Sequence, residues 1–355
     1  MTGFEEINKE ILDGRIGLNN GIPFSHPRLS KFIGIRKRIY TQIIGSSGSG
    51  KSALVHSTYI LNPFDHLKTI TQSGIKFKVI LFAMERSKLY VLTKWLSRKI
   101  FIDQGILIPL QKMLGWWDNK LTEDEYELVL QYKDYINELL ETVDIIGGSI
   151  NPTGCYKYVK NYAEENGKFE QVSEYSKVYI PNHPNEIVII VQDHLGLTSI
   201  EKGYPTKKDA IDKLSSYNQW FRDVLGYSPV VVSQLNRNLS NPIYQKIDSF
   251  EPTLDDAKET GKPSEDADIV LSIFDPHRYH TTDSQYKVDN FIDSSNGANY
   301  FRSLKILKNS YGIDSLKVGL AFMGSVGICK ELPKPKEMTE FDYSSLFDNS
   351  YFLEQ

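Results

Sequence analysis

Apolar residues open the chain at helical spacing. Phe4, Ile7, Ile11 and Leu12 share one stripe, which predicts a short amphipathic helix ending near Gly14. From Ile39 to Ile44 an apolar run leads into a glycine-rich stretch, and a helical pattern resumes at Ala53, giving strand, loop and helix in that order. Further strands are predicted over Lys78 to Ala83 and Val143 to Ile146, the latter buried. Ile187 to Val191 is a run of branched apolar residues, as expected of a central parallel strand covered on both faces. Val230 to Ser233 follows Pro229, which is tolerated at a strand's start. Ile269 to Phe274 and Ser303 to Leu307 complete the predicted strands. One helix is predicted between Asp118 and Glu141, with a capping box of Thr122 and Glu125 and a staple between Leu121 and Tyr126. Another runs from Thr153 to Glu165 and stops at Gly167. Strands alternating with helices predict an α/β chain with a doubly wound, mostly parallel sheet. There is no internal repeat, so the division is a helical segment over 1–20, one α/β domain over 21–330, and a flexible tail over 331–355.

Composition narrows the class. The 355 residues and 40% hydrophobic content suffice for one large core. No apolar run approaches the roughly 18 residues that a membrane helix needs, and Met1 to Glu10 has no basic stretch leading into an apolar one. A soluble chain without membrane contact is expected. Cys155 and Cys329 are too few for a disulfide framework and lack zinc-site spacing, which fits a reducing cytoplasm. With a net charge of −4, any nucleic-acid contact has to come from cations gathered on particular loops or lining a channel.

The chemistry concentrates in Gly45-Ser46-Ser47-Gly48-Ser49-Gly50-Lys51-Ser52, which satisfies the P-loop pattern between a predicted strand and a predicted helix. Its glycines let backbone N–H groups cradle phosphate oxygens, Lys51 can neutralise the β and γ phosphates, and the Ser52 hydroxyl can ligate Mg²⁺. ATP with Mg²⁺ is the expected cofactor pair. Asp193 closes an apolar strand and is the candidate acid for the metal's water shell. Glu85 follows a strand end and is the candidate general base; Gln234 ends another, where its amide can sense the γ-phosphate.

Together these residues carry a resemblance. Phe82-Ala83-Met84-Glu85, Asp193-His194-Leu195-Gly196-Leu197 and Ser233-Gln234-Leu235-Asn236-Arg237 look like the successive motifs of DnaB-type replicative DNA helicases, in that family's order. The string from Asp256 to Asp268, DAKETGKPSEDAD, resembles the family's next segment without a gap, and Gly21-Ile22-Pro23-Phe24 with Leu29 and Gly34 resembles the start of such motors, particularly those of tailed phages. The likeness runs from Gly21 to Phe322, with extra sequence between Phe169 and Glu186. It implies a RecA-like motor forming a hexameric ring, binding ATP between subunits and moving along single-stranded DNA in a bacterial cell or phage-infected host. It assigns the base to Glu85, the metal-associated acid to Asp193 and the γ-phosphate sensor to Gln234. DNA-facing loops would fall around Arg237 to Lys246 and Lys258 to Lys262. Primase, loader or polymerase contacts are implied too, although the family's N-terminal primase-interacting domain has no counterpart before Gly21. The first helix would dock on the next subunit.

One position departs from the family. Where a K-x-R pair follows the last core strand, its arginine reaching a neighbouring subunit's nucleotide, this chain reads Lys308-Asn309-Ser310. Such an arginine contributes about 10³ to 10⁵ in rate. Lys308 is left as a weaker point charge, and Arg302 lies at the other end of the strand. Two alternatives stand beside a helicase: a RecA-like recombinase filament, and a nucleotide-binding accessory protein with weak turnover.

Overall fold

The computed structural model describes residues 3–70, 74–173, 176–236, 250–258, 260–283 and 285–353. Its strands are β1 Ile22–Pro23, β2 Gly34–Ile35, β3 Thr41–Gly45, β4 Lys76–Ala83, β5 Val143–Gly147, β6 Gly167–Ser173, β7 Ser176–Pro181, β8 Glu186–Asp193, β9 Ser228–Gln234, β10 Ile269–Phe274, β11 Phe301–Asn309, β12 Lys317–Met323 and β13 Ile328–Glu331. Nine of them form one sheet in the order β13-β12-β11-β10-β3-β9-β8-β4-β5. Pairing is parallel from β10 through β5 and antiparallel from β10 to β13. The described helices are α1 Gly3–Arg15, α2 Lys51–His56, α3 Asn62–Thr69, α4 Lys88–Gln104, α5 Leu110–Met113, α6 Glu123–Leu130, α7 Lys133–Thr142, α8 Pro152–Glu165, α9 Lys207–Asp223, α10 Lys262–Asp266 and α11 Glu340–Phe347.

Strand alternation builds two cores. Ile43, Val79, Leu81, Ile189, Val191, Val230 and Val232 pack with Leu54 and Val55 of α2 on one face. Ile44, Ile80, Phe82, Val188, Ile190 and Val231 pack with Val159 of α8 and Leu214 and Phe221 of α9 on the other. The runs read as continuously apolar because both faces are covered.

Several expectations change. The long helix expected between Asp118 and Glu141 breaks into α6 and α7 where Tyr132 turns into the interior; the Thr122–Glu125 capping box is present at the first. β5 lies at the sheet edge, and after Val143 it is only half-buried or exposed. The sheet continues past Leu307 through the hairpin of β12 and β13. The extra sequence before Glu186 forms the antiparallel pair β6–β7, whose Tyr179 hydroxyl meets that of Tyr227 at 3.1 Å. The tail is folded along its described length, correcting the expectation of flexibility. Leu346, Tyr351 and Phe352 are buried against Phe101, Phe291 and Phe301, because they fill an apolar surface left by β11, β12 and α4. At the other end, Phe4, Ile7, Ile11 and Leu12 of α1 are all exposed.

Candidate functional site

Parallel register brings the predicted residues together. Gly45 at the end of β3 lies beside Gln234 at the end of β9, and Ala83 of β4 lies beside Asp193 of β8. Backbone bonds hold the loops that leave these ends: Leu235 N–H to the Gly45 carbonyl at 3.1 Å and Met84 N–H to the Asp193 carbonyl at 2.9 Å. Ligand sites of open α/β sheets form at such carboxyl ends.

The loop from Gly45 to Ser52 is shaped by close approach. A Cβ on Gly45 would lie 2.6 Å from the Ile273 carbonyl oxygen, and one on Gly50, whose φ is +99°, would lie 2.8 Å from the Phe322 ring. The buried Lys51 ammonium donates to the Ser46 carbonyl at 2.7 Å, across the mouth of the loop. The buried hydroxyls of Ser46 and Ser49 have no hydrogen-bond partner among the described residues. Such orphaned donors around a backbone cradle fit a bound polyphosphate.

A cavity of about 490 Å³ opens above the loop, and Lys51, Ser52, Glu85, Asp193 and Gln234 all line it. Burial pushes the Asp193 carboxyl above its ordinary value, while a hydrogen bond from Ser52 and the nearby His194 and Lys51 pull it back. Asp193 Oδ1 is buried and unpartnered among the described residues. Oxygen donors of Ser52 and Asp193 suit a hard cation such as Mg²⁺. Among the described residues there is no cluster of three or more His, Cys, Asp or Glu that could hold a metal, so phosphate and water oxygens would complete the shell.

Two histidines join the acids. His194 Nε2 is 3.3 Å from the Gln234 amide nitrogen and 4.0 Å from Glu85 Oε2. Burial lowers its pKa, and the charges of Lys51 and Lys258 lower it further against Asp193 and Glu85. His56, at the end of α2, has its pKa pushed down to about 4 by burial. The Trp95 indole N–H donates to its Nδ1 at 3.3 Å, which leaves the ring proton on Nε2, 3.9 Å from Asp193 Oδ2. His194 stands within the Asp193-His194-Leu195-Gly196-Leu197 motif but is given no role there; nothing along the chain marks His56.

Other expected residues lie apart. Lys258 donates its backbone N–H to the Gln234 carbonyl at 2.8 Å, so it borders the nucleotide side. Lys262 begins α10 and pairs with Asp266 at 3.0 Å. Arg237 and Lys246 lie outside the described residues. Lys308 stands opposite Val270 and caps α10, donating to the carbonyls of Ser264 and Glu265 at 3.0 and 2.7 Å. The structure does not bring it to its own chain's P-loop, since β11 runs antiparallel. For the same reason Arg302, which the sequence placed at the wrong end, is at the loop: its Nε donates to the Ser49 carbonyl at 3.0 Å and its Nη1 is 3.3 Å from Asp275. Arg278 donates to the Ser47 carbonyl.

The sequence matches no family model and no curated protein. Solved structures match along nearly the whole chain. A DnaB-like replicative helicase, described with its interactions with primase, matches at a TM-score of 0.66 and 18% identity, covering 93% of this chain and 68% of that one. An ATPase domain solved on its own matches at a TM-score of 0.66 and 17% identity, covering 94% of this chain and 99% of that one. No described helix is long and apolar enough to cross a membrane. The chain therefore has the RecA-like α/β fold found in the ATPase motor of DnaB-like replicative helicases.

Proposed function

We propose that this chain is the motor of a replicative-type DNA helicase, a hexameric ring of identical subunits that hydrolyses ATP to move along single-stranded DNA and unwind duplex. The observation that carries the reading is the convergence of Lys51, Ser52, Glu85, Asp193 and Gln234 on one cavity over the P-loop. The fold it shares with a helicase and an ATPase domain supports it.

In this reading Lys51 turns from the Ser46 carbonyl to the β and γ phosphates. Ser52 and Asp193 hold Mg²⁺, which when bound draws charge from those phosphates. Glu85 accepts the proton of the water attacking the γ-phosphorus. Gln234 senses the γ-phosphate with its amide, while its carbonyl accepts from Lys258 N–H, linking the nucleotide to a loop proposed to touch DNA. Lys258 and Lys262 are proposed DNA contacts, together with Arg237 and Lys246. The exposed apolar stripe of α1 is proposed to dock on the adjoining subunit. A primase, loader or polymerase contact is proposed by analogy with the matched helicase.

The test is displacement of a labelled strand from a forked DNA duplex by the purified protein with ATP. Unwinding that disappears in Lys51→Ala supports the motor. Lys51-dependent ATP binding without unwinding or DNA-stimulated turnover favours the second reading, a nucleotide-binding helicase accessory, for which Ser310 and the capping role of Lys308 speak.

A further inference from the structure

We propose that Arg86 supplies, from the same chain as the P-loop, the guanidinium that neutralises the γ-phosphate during hydrolysis, in the role left vacant at Ser310. The inference rests on the ATPase reading above.

Among the described residues four arginines stand near the loop, and three are held by protein partners, two of them by carbonyls of the loop itself. Arg98 is buried and donates to Asn62 Oδ1 at 2.6 Å and Ser57 Oγ at 3.2 Å. Arg302 is buried, paired with Asp275 and bonded to the Ser49 carbonyl. Arg278 donates to the Ser47 carbonyl and is not among the residues lining the cavity. Arg86 lines the cavity beside Lys51, Glu85, Asp193 and Gln234. Its side chain is 57% exposed, its Nη2 lies 3.6 Å from Glu85 Oε1, and its guanidinium rests 5.0 Å from the centre of the Tyr90 ring. The 3.6 Å contact is too long for a hydrogen bond, so little is given up when the group turns to a phosphate.

Its backbone is fixed on both sides. Met84 N–H is bonded to the Asp193 carbonyl, and Ser87 caps α4 by accepting from Tyr90 N–H at 3.2 Å. An exposed cation is thus held on a hydrogen-bonded turn next to the general base.

In the step itself, the water oxygen bonds to the γ-phosphorus and the bond to the β,γ-bridging oxygen breaks, leaving its electron pair on ADP. The water's proton passes to Glu85. Negative charge on the γ-phosphoryl oxygens is met by the planar donors of Arg86.

The experiment compares wild type, Arg86→Ala, Arg86→Lys, Arg278→Ala and Lys51→Ala in steady-state ATP hydrolysis and in equilibrium binding of ADP and of β,γ-imido-ATP. Arg86→Ala is expected to lower kcat by about 10³-fold, with partial recovery in Arg86→Lys and by added guanidinium at millimolar concentration. It is also expected to weaken the imido triphosphate by about tenfold while leaving ADP unchanged. Mixing Arg86→Ala with Glu85→Gln chains should give no more activity than the two separately, because both groups serve the same site from one chain. Three results overturn the proposal: kcat retained in Arg86→Ala, the loss appearing in Arg278→Ala instead, or activity restored in the mixture. If the wild type shows no Lys51-dependent turnover, the ATPase reading fails, and the binding comparison alone decides whether Arg86 meets the γ-phosphate.

Discussion

Replacing Arg302 by alanine separates the P-loop from the strand that braces it. The guanidinium is buried, 3.3 Å from Asp275, bonded to the Ser49 carbonyl, and stacked with its carbon 4.6 Å from the Phe322 ring centre. Burial depresses the Arg302 pKa while Asp275 raises it, so the pair as a whole adds little net stability. Breaking it differs from never having it: removing one partner of a buried pair costs about 3–5 kcal/mol. Asp275 keeps the Asn299 amide at 2.8 Å and Arg278 N–H at 3.2 Å, which favours the lower end, and the lost ring contact adds about 0.5–2 kcal/mol. A total near 4 kcal/mol corresponds to a fall in Tm of about 8 °C, at about 2 °C per kcal/mol for a chain of this size. Differential scanning calorimetry of Arg302→Ala, Asp275→Ala and the double variant reads both quantities. The double variant should lose at least about 1 kcal/mol less than the sum of the singles. Strict additivity, or a shift below about 2 °C, would refute the bracing argument.

Gly50→Ala should abolish binding of a fluorescent ATP analogue with the fold intact by circular dichroism, and adding Phe322→Ala should not restore it. The positive φ of Gly50 strains any Cβ even after the ring is removed; restored binding would show that the ring alone matters. His26 is fully buried with its pKa lowered from 6.5 to about 4. The unfolded state therefore takes up a proton first, and stability falls as pH drops from about 6.5 towards 4, by up to about 3 kcal/mol. Urea midpoints at pH 7 and 4.5 should converge in His26→Asn relative to wild type; equal pH dependence in both would remove His26 as the cause. Truncation after Met338 should cost about 5 kcal/mol or more by uncovering the surface that Leu346, Tyr351 and Phe352 bury. Unchanged thermal unfolding, with no gain in binding of a hydrophobic dye, would contradict it.

Legibility in the sequence follows the range of the interactions. The run into Gly45, the P-loop and the branched strand Ile187 to Val191 are local patterns, and they reappear as β3, its loop and the centre of β8. β12 escaped because Lys317 to Met323 is buried on both faces and carries Gly319, which presses against the Tyr286 ring, so it shows no alternation. The tail, acids mixed with Phe341, Tyr343, Leu346, Phe347, Tyr351 and Phe352, reads as flexible because the partners of its aromatic residues lie in distant strands. Glu85, Asp193 and Gln234 were visible as carboxyl and amide groups at strand ends. The guanidiniums of Arg278 and Arg302 were not, since only the antiparallel register of β11 and the turn after β10 bring them to the loop. Residues 237–249, where two DNA contacts were expected, lie outside the described residues.

The most direct test of the central claim measures ATP binding and phosphate release in parallel for wild type, Lys51→Ala and Glu85→Gln, with and without single-stranded DNA. The account predicts that Lys51→Ala loses both, that Glu85→Gln keeps binding and loses release, and that DNA accelerates release by the wild type alone. Release that persists in Glu85→Gln, or binding undiminished in Lys51→Ala, would contradict it.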